Sequence, residues 1–99
     1  MASVLIDGEN VRRSLWPNLG RDELVSLART WADAHGHTAI VVWDTDESAD
    51  DAIAREASER RERVWVVTSD RELRGRVEPS AERLIGGGSF ARELQQYRR

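Results

Sequence analysis

The chain contains no cysteine, and although it carries 15 Lys or Arg residues every one of them is arginine. The first absence excludes disulfides and thiolate metal sites and fits a reducing compartment. The absence of lysine excludes any mechanism that requires one. Long apolar runs are also missing. The N-terminal run meets a charge at Asp7, so neither a signal peptide nor a membrane span is expected, and the cytoplasm is the expected location. Nor is there a strong excess of one charge. A formal net charge of −3 does not announce a nucleic-acid binder, whose domains are often basic. The all-arginine basic set reflects either the base composition of the coding DNA or a use for the guanidinium fork, which matches phosphate bidentately. The length of 99 residues suits one domain over residues 1–99, with a core of modest stability margin.

Four apolar runs read as strands: 2–6 (ASVLI), 38–43 (TAIVVW), 64–68 (VWVVT) and a weaker 83–85 (RLI). The first three are rich in β-branched residues and apolar on both faces, as in a parallel sheet covered by helices. Helical spacing fills the gaps. Leu24, Leu27, Ala28, Trp31 and Ala34 form one stripe in 21–35, with Gly36 placed to cap the end. Helices are also expected over 48–62, 70–77 and 89–98, with GGGS at 86–89 as a loop before the last. Pro17 and Pro79 fall in connections, and no internal repeat is visible. The expected fold is α/β, a three-layer parallel sheet of about four strands flanked by helices.

Ligand sites in such sheets lie at the carboxyl ends of the strands, near the point where strand order reverses. Acidic residues crowd these ends. Asp7 closes the first strand, followed by Gly8, Glu9 and Asn10. Asp44, Asp46 and Glu47 follow the second, and Asp50 and Asp51 open the helix after it. Thr68, Ser69 and Asp70 close the third. Each has a plain structural use. Asp7-Gly8 reads as a strand-to-turn junction, Ser48 with Asp51 and Ser69 with Glu72 read as capping boxes, and carboxylates favour helix N-termini. Their coincidence at every strong strand exit argues for more. Two carboxylates about 4 Å apart repel by roughly 4 kcal/mol at an effective dielectric near 20, so a converged cluster must protonate or hold a cation. All-oxygen donors favour Mg2+ or Mn2+ over zinc, and such sites commonly serve phosphodiester hydrolysis.

DGEN at 7–10, VVWD at 41–44, ESADDAI at 47–53, VTSDREL at 67–73 and the closing GGGSFARELQQ occur in that order. Together they resemble the PIN-like nucleases, and among them the NYN group close to the YacP-type RNA endonucleases, over nearly the whole chain. The resemblance implies a metal-dependent ribonuclease acting on RNA. It implies Asp7, Asp50 and Asp70 as core metal-binding acids, with Asn10 and Asp44 as supporting polar groups. Asp51 and Glu47 would be outlying acids or ligands of a second ion, and Thr68 and Ser69 strand-end hydroxyls that orient the site and meet substrate. YacP-like proteins carry a longer stretch after the second strand, often with an extra edge strand. Here only Thr45 and Asp46 separate Asp44 from Glu47, so the chain looks like a minimal version with strand order 2-1-3-4. Its exposed edge invites pairing with a second copy, a homodimer.

Other readings stand beside this one. VVWDTDES also resembles the opening of haloacid-dehalogenase-type phosphatases, with Asp44 as nucleophile, although that family uses a lysine. A Toprim-like site leaves Asp7 and Asp70 less well explained. A PIN-like domain with a degenerate site would bind RNA or protein without cleaving. RNA phosphates would meet Arg12 and Arg13 after the first strand and Arg71, Arg74 and Arg76 after the third; a solvated helix face is the plainer use. Trp31, Trp43 and Trp65 read as core. Trp16, in a loop before Pro17, suits a base or a partner surface. His35 and His37 lie at the amino end of the second strand and read as surface residues.

Overall fold

The computed structural model describes residues 1–98. In chain order it contains β1 (Ser3–Asp7), α1 (Gly8–Arg12), α2 (Arg21–His35), β2 (Thr38–Val42), α3 (Ala49–Glu59), β3 (Val64–Val67), α4 (Arg71–Val77), β4 (Arg83–Ile85) and α5 (Gly87–Leu94), with a short 3-10 turn at Gln95–Tyr97. All strand pairings are parallel, in the order β2-β1-β3-β4. β1 is central and buried along its whole length, which is why it reads as a continuous apolar run. β2 lies at one edge and is only half-buried beyond Thr38.

Alternation along the strands sends side chains into two cores. On one face Val4 and Ile6 of β1 and Val67 of β3 pack against Leu24, Leu27, Ala28 and Trp31 of α2 and Phe90 and Leu94 of α5. On the other, Leu5, Val64 and Val66 meet Ile53 and Ala57 of α3 and Leu73 and Val77 of α4. The result is the expected three layers. Across the amino edge of the sheet, the Arg63 guanidinium forks onto Glu82 at 2.7 Å, and the Trp65 indole N–H donates to the same carboxylate.

Five local expectations change. A helix, α1, begins directly after Asp7, where a turn seemed due; Val11 supplies its single buried apolar side chain, too sparse a pattern to show periodicity. α3 stops at Glu59 because the run Arg60–Arg63 carries no apolar residue to continue its stripe. Asp70, not Ser69, caps α4: its Oδ1 accepts from the amides of Glu72 (2.9 Å) and Leu73 (3.2 Å). The glycine run is not all loop, since α5 starts at Gly87. Ala34, assigned to the α2 stripe, is exposed. Gly36 does end α2, at φ +72°, a conformation that a side chain rarely adopts.

Phe90 carries much of the first core: it is 1 % exposed and meets the Trp31 ring edge-on at 4.9 Å. Phe90→Ala is expected to cost about 3–5 kcal/mol, a large share of the roughly 5–15 kcal/mol of an ordinary domain. Urea unfolding followed by circular dichroism reads this as a lower midpoint with unchanged slope.

Candidate active site

The chain runs from β1 outward to β2 and then back past β1 to β3. The strand order therefore reverses between β1 and β3, at the place where ligand crevices form in open α/β sheets. Asp7 ends β1 at this point and is 7 % exposed. Thr68, the first residue after β3, is fully buried, and its hydroxyl donates to Asp7 Oδ2 at 2.9 Å. The same hydroxyl accepts from the Asp70 amide at 3.1 Å. One side chain thus ties the ends of both inner strands together. Thr68 positions the acids from beneath, out of reach of a substrate.

Asn10 extends the network. Its side-chain oxygen accepts from the Ser69 amide at 2.9 Å, and the Ser69 hydroxyl accepts from the Gly87 amide at 2.8 Å. Gly87 has no room for a side chain, because a Cβ there would run into Asn10 Oδ1. The start of α5 is thereby clamped to the site. Arg74 folds back onto the Thr68 carbonyl at 3.3 Å, so this arginine braces the network.

The remaining acids divide by environment. Asp50, in the first turn of α3, lies half-buried near Asp70 and Asp44. Asp44 gives one oxygen to the Ala49 amide at 2.8 Å, holding the start of α3. Asp51 points elsewhere and pairs with Arg76 at 2.9 Å. Glu47 likewise pairs with Arg55 at 2.8 Å. Asp7, Asp50 and Asp70 are therefore brought together with Asp44 at their flank, whereas Asp51 and Glu47 are committed to arginines outside the cluster.

The titration behaviour follows this division. Burial pushes the Asp7 carboxyl above its ordinary value, and the charges of Asp50 and Asp70 push the same way. The Thr68 hydroxyl opposes them, as does the Asn10 amide, which faces the carboxylate without closing a hydrogen bond. Asp50 is raised by burial first, then by Asp70 and Asp44, with Arg76 a partial counterweight. Asp51 is lowered by its hydrogen bonds from Arg76 and from the Ser48 side. Among the described residues no three His, Asp or Glu side chains form a ready-made metal cage. The donors that converge are all oxygens, which suits a hard divalent cation that keeps several of its waters.

Trp43, read as core but only half-buried, and Arg21, which no motif reading singled out, shape one wall. Trp43 leaves the end of β2 and lays its ring on Gly8: a Cβ at Gly8 would stand 2.6 Å from two ring carbons. The Arg21 guanidinium covers the ring at 4.9 Å from its centroid and pairs with Glu9 at 2.8 Å. A glycine directly after a strand-end aspartate, with tryptophan ending a neighbouring strand, was the available signal. Arg12 and Arg13 also turn onto Glu9, and Arg71 is exposed at the start of α4.

Two outcomes follow. Gly8→Ala forces the Trp43 ring off its seat, at about 1–3 kcal/mol, seen as a lower unfolding midpoint and a changed tryptophan emission spectrum. The raised Asp7 carboxyl gives a pH signature. The folded state holds its proton to higher pH than the unfolded chain, so stability falls as pH rises from about 4 through the raised value. Asp7→Asn removes that loss while keeping an oxygen for Thr68. Its thermal midpoint in metal-free buffer is expected above the parent's at pH 7, the advantage shrinking as pH falls through the raised value and gone by about pH 4.

No family model matches the sequence, and no curated protein matches it. Among solved structures it is similar to the crystal structure of Rae1 (YacP) from Bacillus subtilis, a W164L mutant, at 21 % identity and a TM-score of 0.79, over 97 % of this chain and 76 % of that one. The four-stranded parallel sheet with helices on both faces is therefore the fold of Rae1 (YacP), the α/β architecture expected from the sequence.

Proposed function

We propose that this chain is a metal-dependent ribonuclease that hydrolyses RNA phosphodiester bonds at the carboxyl edge of its sheet. The observation that carries the proposal is the convergence of Asp7, Asp50 and Asp70. Burial and mutual repulsion raise two of these carboxyls, and the nearby Arg76 is engaged with Asp51. An electrostatic debt of this kind is what a divalent cation relieves. The motif resemblance to YacP-type RNA endonucleases and the shared fold agree with it.

Asp7, Asp50 and Asp70 would hold Mg2+ or Mn2+, with the free oxygen of Asp44 at the flank. When bound, such an ion supplies an activated water and offsets charge developing on the phosphate. The Thr68 hydroxyl, donating to Asp7 and accepting from the Asp70 amide, fixes the angle of Asp7 and the position of Asp70. Asn10, through Ser69, holds the cleft between α1 and α5 at one width. Arg12, Arg13 and Arg71 lie on the elements that leave the site and would take backbone phosphates, which fix register without reading sequence.

A second reading, a PIN-like domain that binds RNA without cutting it, is favoured by the absence of a ready cage among the described residues and by the capping duties of Asp44 and Asp70. One experiment separates the two. Labelled single-stranded RNA is incubated with the protein in magnesium, in manganese and in chelator. Cleavage is expected only with metal. Asp70→Asn keeps an oxygen to cap α4 and is expected to lower the rate at least a hundredfold, a loss of about 2.7 kcal/mol or more in transition-state stabilisation. Binding in all three buffers without cleavage in any would establish the second reading. Magnesium should also raise the parent's thermal midpoint and leave that of Asp7→Asn nearly unchanged.

A further inference from the structure

Trp16 is 88 % exposed, in a chain whose other tryptophans are all buried or half-buried. Its loop does not dangle. Leu19 is 2 % exposed and its amide closes the loop onto the Arg12 carbonyl at 3.0 Å. Leu15 packs on the first core, and the Ser14 hydroxyl donates to the Asn10 carbonyl at 2.6 Å. The two leucines that bracket Trp16 are pinned inward, and the indole is held outward between them. An apolar side chain of this size in a fixed outward pose marks a contact surface.

The loop stands at the catalytic edge of the sheet. It joins α1, which starts directly from Asp7, to α2, which runs back to the amino end of β2. Ser14, Ser69 and Asn10 surround the same point at Gly87, with the hydroxyls at 3.1 and 3.3 Å from a Cβ placed there. Trp16 is two residues beyond Ser14, within about 7 Å of it along the backbone. Beside the loop Glu9 gathers Arg12 (3.5 Å), Arg13 (3.0 Å) and Arg21 (2.8 Å), and one carboxylate against three guanidinium groups leaves this patch net positive. The side chains of Arg13 and Arg21 are 69 % and 62 % exposed.

We infer that Trp16 is a stacking platform for an unpaired base of single-stranded RNA, held just outside the acidic cleft while the arginines on Glu9 take the adjoining phosphates. The inference rests on the ribonuclease reading above and adds to it a substrate form: a strand free of base pairing on this flank. A tryptophan face accepts any base, and an arginine cluster accepts any phosphate, so recognition here is of single-strandedness rather than of sequence. A duplex keeps its bases stacked and offers none to Trp16.

The test measures binding apart from cleavage. The Asp70→Asn chain in magnesium is titrated into a fluorescein-labelled oligouridylate of about ten nucleotides, and anisotropy is followed. Adding Trp16→Ala is expected to weaken binding about ten- to a hundredfold, Trp16→Phe to restore most of it, and the thermal midpoint to stay put because the side chain is exposed. A fully paired duplex should bind no better to the parent than to Trp16→Ala. Equal affinity for the single strand in Trp16→Ala and its parent would overturn the platform and leave the ribonuclease reading intact, provided the parent binds. No binding by either chain would overturn both. Sedimentation that shows a dimer in the parent and a monomer in Trp16→Ala would assign the indole to a second copy instead.

Discussion

A negative charge at the end of the central strand constrains everything around it. β1 is flanked by β2 and β3 and covered by helices on both faces, so its last residue cannot escape into water as an edge residue would. Asp7 is buried there, with one hydroxyl as its hydrogen-bonded partner and other carboxylates as neighbours. A buried charge with incomplete compensation is costly unless something neutralises it. Thr68 supplies part of the compensation and fixes the Asp70 amide with the same oxygen. Asn10, Ser69 and Gly87 brace the surrounding backbone. The arrangement is rigid in its support and unsatisfied in its charge, and among the described residues the acids do not themselves close a cage.

Parallel topology explains why acids appear at the exits of the first three strands and why their meaning is hard to read from sequence. Each helix that follows a strand directly begins at the carboxyl edge, and each needs acceptors for its first amides. Asp44 and Asp70 fill that need for α3 and α4. Capping acids and metal-holding acids therefore occupy the same positions, and a motif search finds both. Environment separates them: Asp51 is at the surface with Arg76, whereas Asp50, its neighbour in sequence, faces the other carboxylates.

The parts legible in sequence were those written in periodicity. The β-branched runs gave three strands and both covering layers, a weaker run gave the fourth, and the resemblance to YacP-type proteins gave their order; α2 appeared with its bounds because a fifteen-residue stripe ends at a glycine. The helix α1 did not appear, since five residues with one buried contact carry no period. That the strand-end acids share one edge was legible from topology, because parallel strands send their ends there; the resemblance singled out Asp7, Asp50 and Asp70 among them. The commitments of individual side chains were not. Nothing in the spacing of ESADD says that Asp51 would find Arg76 from α4, or that Thr68 would lie under the acids rather than beside a substrate. Such pairings are decided by contacts between elements far apart in the chain, which local pattern does not encode.

The short passage from β2 to α3 gives the cleft its asymmetry. With so few residues between Trp43 and Ser48, the chain has no length to build a separate flap over this side. Trp43 closes it instead, lying flat on Gly8 beneath the Arg21 guanidinium. Because Arg21 is also bound to Glu9, the aromatic wall and the arginine cluster form one unit, anchored through Gly8 to the residue next to Asp7. The opposite wall, from Asp50 to Asp70, is acidic. On the ribonuclease reading, a polyanion approaching this cleft would meet repulsion from the acids on one side and guanidinium groups on the other. The glycine after the strand-end aspartate is thus the pivot of this wall: any larger residue there would lift Trp43, and Arg21 with it, away from the residue next to Asp7.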